Sequence, residues 1–150
     1  MAAIGTTYSF KDLSGAFTSP VAGAFIFSGE IGQGRVVVAN TTEHGLMDTA
    51  PDGTVMPVYV AGDAGTISIE CQQTSVIHKY LLGWFNIVNT LAKGGDVSNW
   101  ATAAMLMRNL LDGSSHTGSG ISPQKVPDKT YVTNGTNVTW MLLCANLVNL

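Results

Sequence analysis

The sequence predicts a mainly β fold: an antiparallel sheet flanked by one α-helix. Three observations carry that prediction. Thr66 to Gln72 alternate strictly, with Ile67, Ile69 and Cys71 on one face and Thr66, Ser68, Glu70 and Gln72 on the other, as a half-buried strand does. Several further runs are rich in β-branched or aromatic residues and bounded by turn formers. One stretch alone stands out as helical, from Ser75 to about Leu91.

Taken in chain order, "GAFIFS" (23–28) and "RVVVANT" (35–41) read as strands between glycines. "TVMPVYV" (54–60) is similar, but Pro57 lacks a backbone donor and moves it to an edge or a bulge. Residues 40–55, "NTTEHGLMDTAPDGTV", read as an extended loop. In the helix, Val76, Ile77, Tyr80, Leu81, Trp84, Phe85 and Val88 form one apolar stripe. Thr74 or Ser75 can cap its start, and Lys93 followed by two glycines suits its end. Leu82 and Ile87 fall off the stripe and suggest a second contact on the outer side. Residues 101–111, "ATAAMLMRNLL", fit a helix by propensity and a buried strand by length, and the pattern does not separate the two. "DGSSHTGSG" (112–120) suits the tip of a hairpin. A turn at Asn134-Gly135 then leads into a last strand with Val138, Trp140, Leu142 and Cys144 on one face. Met141 and Leu143 on its other face suggest that both sides are partly covered.

A chain of 150 residues is long enough to bury a core as one domain. Charged residues make up 11% of it, against roughly 25% in typical soluble domains. Such a surface is expected to be covered by other copies or partners, so assembly is the first functional indication. The net charge of −3 argues against a nucleic-acid clamp built from a basic groove. Residues 30–70 hold six acids, Glu30, Glu43, Asp48, Asp52, Asp63 and Glu70, against the single base Arg35. A segment of that kind is usually a solvated face; the sharper expectation is a surface that repels polyanions. Neither a secretory leader nor a run long enough to span a bilayer is evident, so a cytosolic origin and free thiols at Cys71 and Cys144 are expected.

No catalytic, cofactor or metal site is predicted. His44, His78 and His116 stand apart from one another, and Glu43-His44 with Asp48 reads as a solvated loop. "GEIGQG" (29–34) has the wrong glycine order for a dinucleotide loop, and "TGSGI" (117–121) is not a nucleophile elbow.

Three blocks, "YSFKDLSG" (8–15), "DAGTISIECQQTS" (63–75) and "ISPQKVPDKTYVTNGTNVTW" (121–140), together resemble the tail tube proteins of contractile-tailed bacteriophages, with similarity also to type VI secretion and R-type pyocin tubes. Val76 and His78 stand where the family often has proline and asparagine. The resemblance implies an antiparallel β-sandwich or partly closed barrel with its helix on the outside. It implies homo-hexameric rings stacked into a tube within a virion tail assembled in the host cytoplasm. The implied partners are sheath, baseplate and tail terminator proteins, with tape measure protein and DNA passing through the lumen without sequence readout and no membrane anchor. On this reading the six acids of residues 30–70 are candidates for lining the lumen or stacking rings, and Leu82 and Ile87 for sheath-side contacts. Lys125, Asp128 and Lys129 lie in a segment made extended by Pro123 and Pro127, and are candidates for contacts between subunits. Two alternatives stay open: a soluble β-barrel that binds a small ligand, and the tube subunit of a phage-derived injection system. An enzyme with a dispersed site is a third class, which would show a cleft of titratable groups.

Overall fold

The computed structural model describes residues 7–28 and 33–150. After a 3₁₀ turn at Phe10–Asp12 come β1 (Leu13–Ser19), β2 (Gly23–Ser28), β3 (Gln33–Asn40), β4 (Gly45–Thr49), β5 (Val55–Tyr59) and β6 (Gly65–Gln72). The helix α1 (Val76–Lys93) follows, then β7 (Ala103–Asn109), β8 (Ser115–Lys125) and β9 (Asn137–Asn149). Seven strands form one sheet in the order β2-β1-β7-β8-β9-β6-β3, every neighbouring pair antiparallel. The sheet curls into a half-barrel. β4 and β5 form a separate two-stranded ribbon.

The core follows from alternation on each strand. Ile67, Ile69 and Cys71 of β6, Val138, Trp140, Leu142 and Cys144 of β9, and Phe17 of β1 are buried on the same face. Residues 103–109 are a strand: Ala103, Met105 and Met107 are buried while Leu106 and Arg108 are exposed. Ladder bonds to β1 and β8 on both sides outweigh the helix propensity of Ala, Met and Leu there. The expected hairpin tip at 112–120 is shorter, because β8 already begins at Ser115. Beyond Ile121, β8 pairs with β9 alone, through Pro123 opposite Leu142 and Lys125 opposite Met141 with a bulge between them. Two prolines cannot supply donors to both sides, so the segment runs out as a half-paired edge.

α1 packs across this core through Ile77, His78, Leu81, Trp84 and Val88. Val76, expected in the stripe, is exposed, while Tyr80, Leu82 and Phe85 are partly buried at its margins. Ser75 caps the helix, its hydroxyl oxygen accepting from the His78 N–H at 3.3 Å and its O–H donating to Gln72 O at 2.7 Å. At the other end Gly95 takes φ +94°, and the Asp96 and Gly95 N–H groups reach back to Leu91 O and Ala92 O, closing the helix as a Schellman motif. Ser75→Ala should therefore cost about 1 kcal/mol, read as a lower urea midpoint with an unchanged slope.

One buried polar group in this interface is His78. Trp140 Nε1–H donates to His78 Nδ1 at 3.0 Å, so the imidazole is neutral and carries its proton on Nε2. Burial, with Lys129 second, holds its pKa below the usual histidine range. Cys71 and Cys144 are buried free thiols; burial raises both pKa values, that of Cys144 to about 11, which leaves them unreactive.

Candidate assembly surfaces

Among the described residues the curled sheet does not close, and it ends in two strands paired on one side only, β2 and β3. Each presents a row of backbone donors and acceptors. The β2 edge is held from the helix side, where Tyr80 Oη–H donates to Gly23 O at 2.7 Å and its ring stacks on Phe25 at 4.9 Å. The β3 edge carries Val36 and Val38 toward the core and Arg35 and Val37 away from it.

The sheet face turned away from α1 is rich in hydroxyls and short of charge. Thr66, Ser68, Thr139, Thr117 and Ser122 alternate with the exposed apolar residues Ile26, Val37, Leu106 and Leu143. Glu70 lies on this face directly across from Arg35 and accepts a hydrogen bond from Asn137 Nδ2 at 3.1 Å. Arg108 lies there between Ser14 and Ser115 in register.

The β4–β5 ribbon holds three of the other candidate acids or their neighbours. Asp48 is on β4, Asp52 in the turn, and Glu43 in the approach to β4, all exposed. Asp52 accepts from the Thr54 N–H at 2.9 Å, which lowers its pKa. Asp63, just before β6, lies 3.5 Å from His44 Nε2, and the same imidazole nitrogen bonds to Gly62 O, tying the ribbon's base to the main sheet. Glu30 falls outside the described residues. The structure thus places Glu43, Asp48, Asp52 and Asp63 along the ribbon and its base, and Glu70 apart from them on the open face. The ribbon also exposes Leu46, Met47, Val55, Met56 and Tyr59, so both of its faces carry apolar groups in water. Residues 54–60 are the edge strand expected, but within the expected loop at 40–55 the structure has β4; Pro51-Asp52-Gly53 between two apolar runs was the turn signal that could have revealed the hairpin.

At the other charged segment, Lys125 Nζ lies 3.8 Å from Asp128 within the same chain, and both are exposed. Lys129 sits over the Tyr131 ring at 5.4 Å. On α1, Leu82 is partly buried against the core and Ile87 is exposed. Among the described residues no three His, Cys, Asp or Glu side chains gather as a metal site would need, and no helix is long and apolar enough to cross a membrane. A cavity of about 240 Å³ opens beside β3, lined among others by Tyr8, Val36, Val38, Met107 and His116. The His116 ring is occupied by Asn149 Oδ1 at 2.7 Å.

The described residues thus form a half-barrel with two edge strands, a helix packed across its core and a separate two-stranded ribbon. Residues 5–150 match the family model described as bacteriophage PhiTE tail tube protein. The chain belongs to that family. Among solved structures, this tube-family chain is similar to a chain of the anti-feeding prophage tube-terminating cap, with TM-score 0.60, 8% identity, and 100% of this chain and 94% of that one covered. A chain of the six-fold symmetrised anti-feeding prophage baseplate gives TM-score 0.59 at 12% identity, covering 100% and 97%. A chain of the sheath-tube complex of the PVC extracellular contractile injection system gives 0.55 at 9% identity, covering 91% and 87%. At these identities the likeness shows the fold alone. No curated protein sequence matches the chain.

Proposed function

We propose that this tail tube subunit forms hexameric rings by joining the β2 edge of one copy to the β3 edge of the next, and that the rings stack into a conduit for a phage genome inside a contractile sheath. The observation that carries this reading is the pair of unlike free edges on a curled sheet. Each edge supplies the backbone groups the other needs, and their union is head-to-tail, as a ring requires. In this arrangement the hydroxyl-rich open face lines the lumen, with Glu70 offset by Arg35, and DNA passes a wall with little fixed charge to hold its phosphates. A tape measure protein occupies the same lumen before DNA does, and baseplate and terminator proteins cap the two ends of the tube. The particle is assembled in the host cytoplasm.

Ring stacking falls to the β4–β5 ribbon. A two-stranded ribbon is marginal alone, and this one exposes apolar residues on both faces, so it gains most from a neighbour. No Lys or Arg occurs between Val36 and His78, which leaves the ribbon acidic. Lys125 and Lys129 on the half-paired proline segment supply the complementary charge on an adjacent copy. The likeness to chains of two injection particles supports the same subunit role in a phage-derived device.

Electron microscopy of the concentrated protein with its baseplate tests the ring reading, and two prolines test the joint. Neighbouring strand residues point their N–H groups in opposite directions, so of Val36→Pro and Val37→Pro one removes a ladder bond to β6 and the other blocks only the free edge. The edge-blocked variant should keep the wild-type circular dichroism and melting temperature yet form no rings. Normal rings from both variants would show that β3 is not the joint.

A further inference from the structure

Three exposed turns place an acid or an amide directly before a glycine: Asp52-Gly53, Asp112-Gly113 and Asn134-Gly135. In such a pair the glycine nitrogen can close a five-membered ring on the preceding side-chain carbonyl carbon, and with no Cβ it does so with the least hindrance. All three glycines take positive φ, +90°, +76° and +69° in that order. Each also donates its N–H to an earlier carbonyl, Ala50 O, Asn109 O and Val132 O, so the backbone restraint is common to the three.

The side chains separate them. Asp52 accepts from the Thr54 N–H at 2.9 Å, and Asp112 accepts from the Ser114 N–H and hydroxyl, both at 2.8 Å. These bonds hold both pKa values below the usual carboxylate range, so at neutral pH each group is an anion and repels a nucleophile. The Asn134 amide is uncharged, and no described residue hydrogen-bonds to it. It lines a groove of about 330 Å³ together with Gln72, Gln73, Thr74 and Thr136, which leaves it open to water.

We infer that Asn134-Gly135 is a site of spontaneous self-modification, at which the Asn134 amide is converted to a carboxylate. The Gly135 nitrogen gives up its proton and bonds to Asn134 Cγ, while the side-chain nitrogen leaves as ammonia, and a succinimide remains. Water then opens one of the two ring carbonyls. Cutting at the side-chain carbonyl gives aspartate, and cutting at the main-chain carbonyl gives isoaspartate. The net change is one ammonia lost for one water gained, with nothing oxidised or reduced. The fold accommodates the product. Gln73 Nε2 donates to Thr130 O and, at 2.7 Å, to Thr136 Oγ1, so the lobe between them is pinned at its neck ahead of β9. From Thr130 to Leu150 there is no Asp, Glu, Lys, Arg or His, so the new charge meets no carboxylate along this segment. Across the groove lies the start of α1, whose first turn carries no acid and whose N-terminal end favours an anion. The subunit therefore gains negative charge with age while staying folded.

The test is incubation of the purified full chain at neutral and alkaline pH in heavy-oxygen water, then trypsin digestion and mass spectrometry of peptide 130–150. The peptide should gain the mass of an amide-to-acid exchange together with the heavy oxygen, and should split into aspartyl and isoaspartyl forms. Conversion should be faster at alkaline pH, because the attacking nitrogen must lose its proton. Asn134→Gln, which would need a larger ring, should stay unconverted. Asn134→Asp should keep the wild-type circular dichroism and melt no lower than the wild type. An intact Asn134 in the folded chain, under conditions that convert the same peptide once it is cut free, overturns the proposal, since the turn itself would then forbid the ring. Isoaspartate at Asp52 or Asp112 ahead of any change at Asn134 overturns it as well. A lower melting temperature for Asn134→Asp would show that the fold does not accommodate the product.

Discussion

Trp140→Ala should lower the unfolding free energy by about 3–5 kcal/mol, a large part of the roughly 5–15 kcal/mol that holds a domain of this size. Trp140 is fully buried at the centre of β9, where the sheet meets the first turn of α1. Its removal leaves a cavity and also strips His78 of its donor. The readout is the urea midpoint at constant slope, and a shift worth less than about 1 kcal/mol would show that this contact does not hold helix to sheet. The same pair makes stability depend on pH. With its folded pKa held below the unfolded value near 6.5, His78 stays neutral while the unfolded imidazole takes up a proton. Stability is therefore full above about pH 6.5 and falls as pH drops toward the folded pKa. His78→Asn, which can keep an acceptor for the indole N–H, should flatten that part of the profile. An unchanged acid slope in this variant would assign the effect to another group.

Gly15→Ala is the second large effect, expected at about 1–3 kcal/mol although it adds one methyl group. Gly15 lies in β1 opposite Phe27 of β2 and Met107 of β7. A Cβ there would stand 2.6 Å from Phe27 Cζ and 2.7 Å from the Leu106 carbonyl oxygen. Phe27 is buried and the carbonyl belongs to the sheet, so neither can give way without disturbing the packing. The opposite sign at Gly83, where alanine should stabilise, makes the two variants a matched pair in thermal denaturation. Equal melting temperatures for both would show that β1 and β2 separate more easily than their packing implies.

Much of the fold was legible because one face of each long strand is wet and the other dry. β6 and β9 advertise this by alternation, and α1 by its stripe, its serine cap and its glycine stop. β7 was not legible, because a strand flanked on both sides can carry residues that favour a helix. β5 was legible as an edge strand, but β4, read as loop, escaped for the opposite reason: with no core beneath the ribbon, nothing imposes a pattern on its apolar residues. Counting acids along the chain overstated their unity. Glu70 comes opposite Arg35 only once β3 and β6 are paired, while the other described acids go with the ribbon. His78 looked isolated because its partner is 62 residues away.

The unlike lengths and settings of the two free edges have a consequence for size. The proposed join of β2 to β3 would fix the direction in which copies follow one another, but not how many complete the circle. That number is left to the angle each copy turns through, which is the accumulated bend of all seven strands over their buried side chains. On that proposal, circumference is written in the core and not at the joint. Gly15→Ala, one strand in from the proposed β2 joint, should then act on bore diameter as well as on stability, with a tube of altered width as its signature.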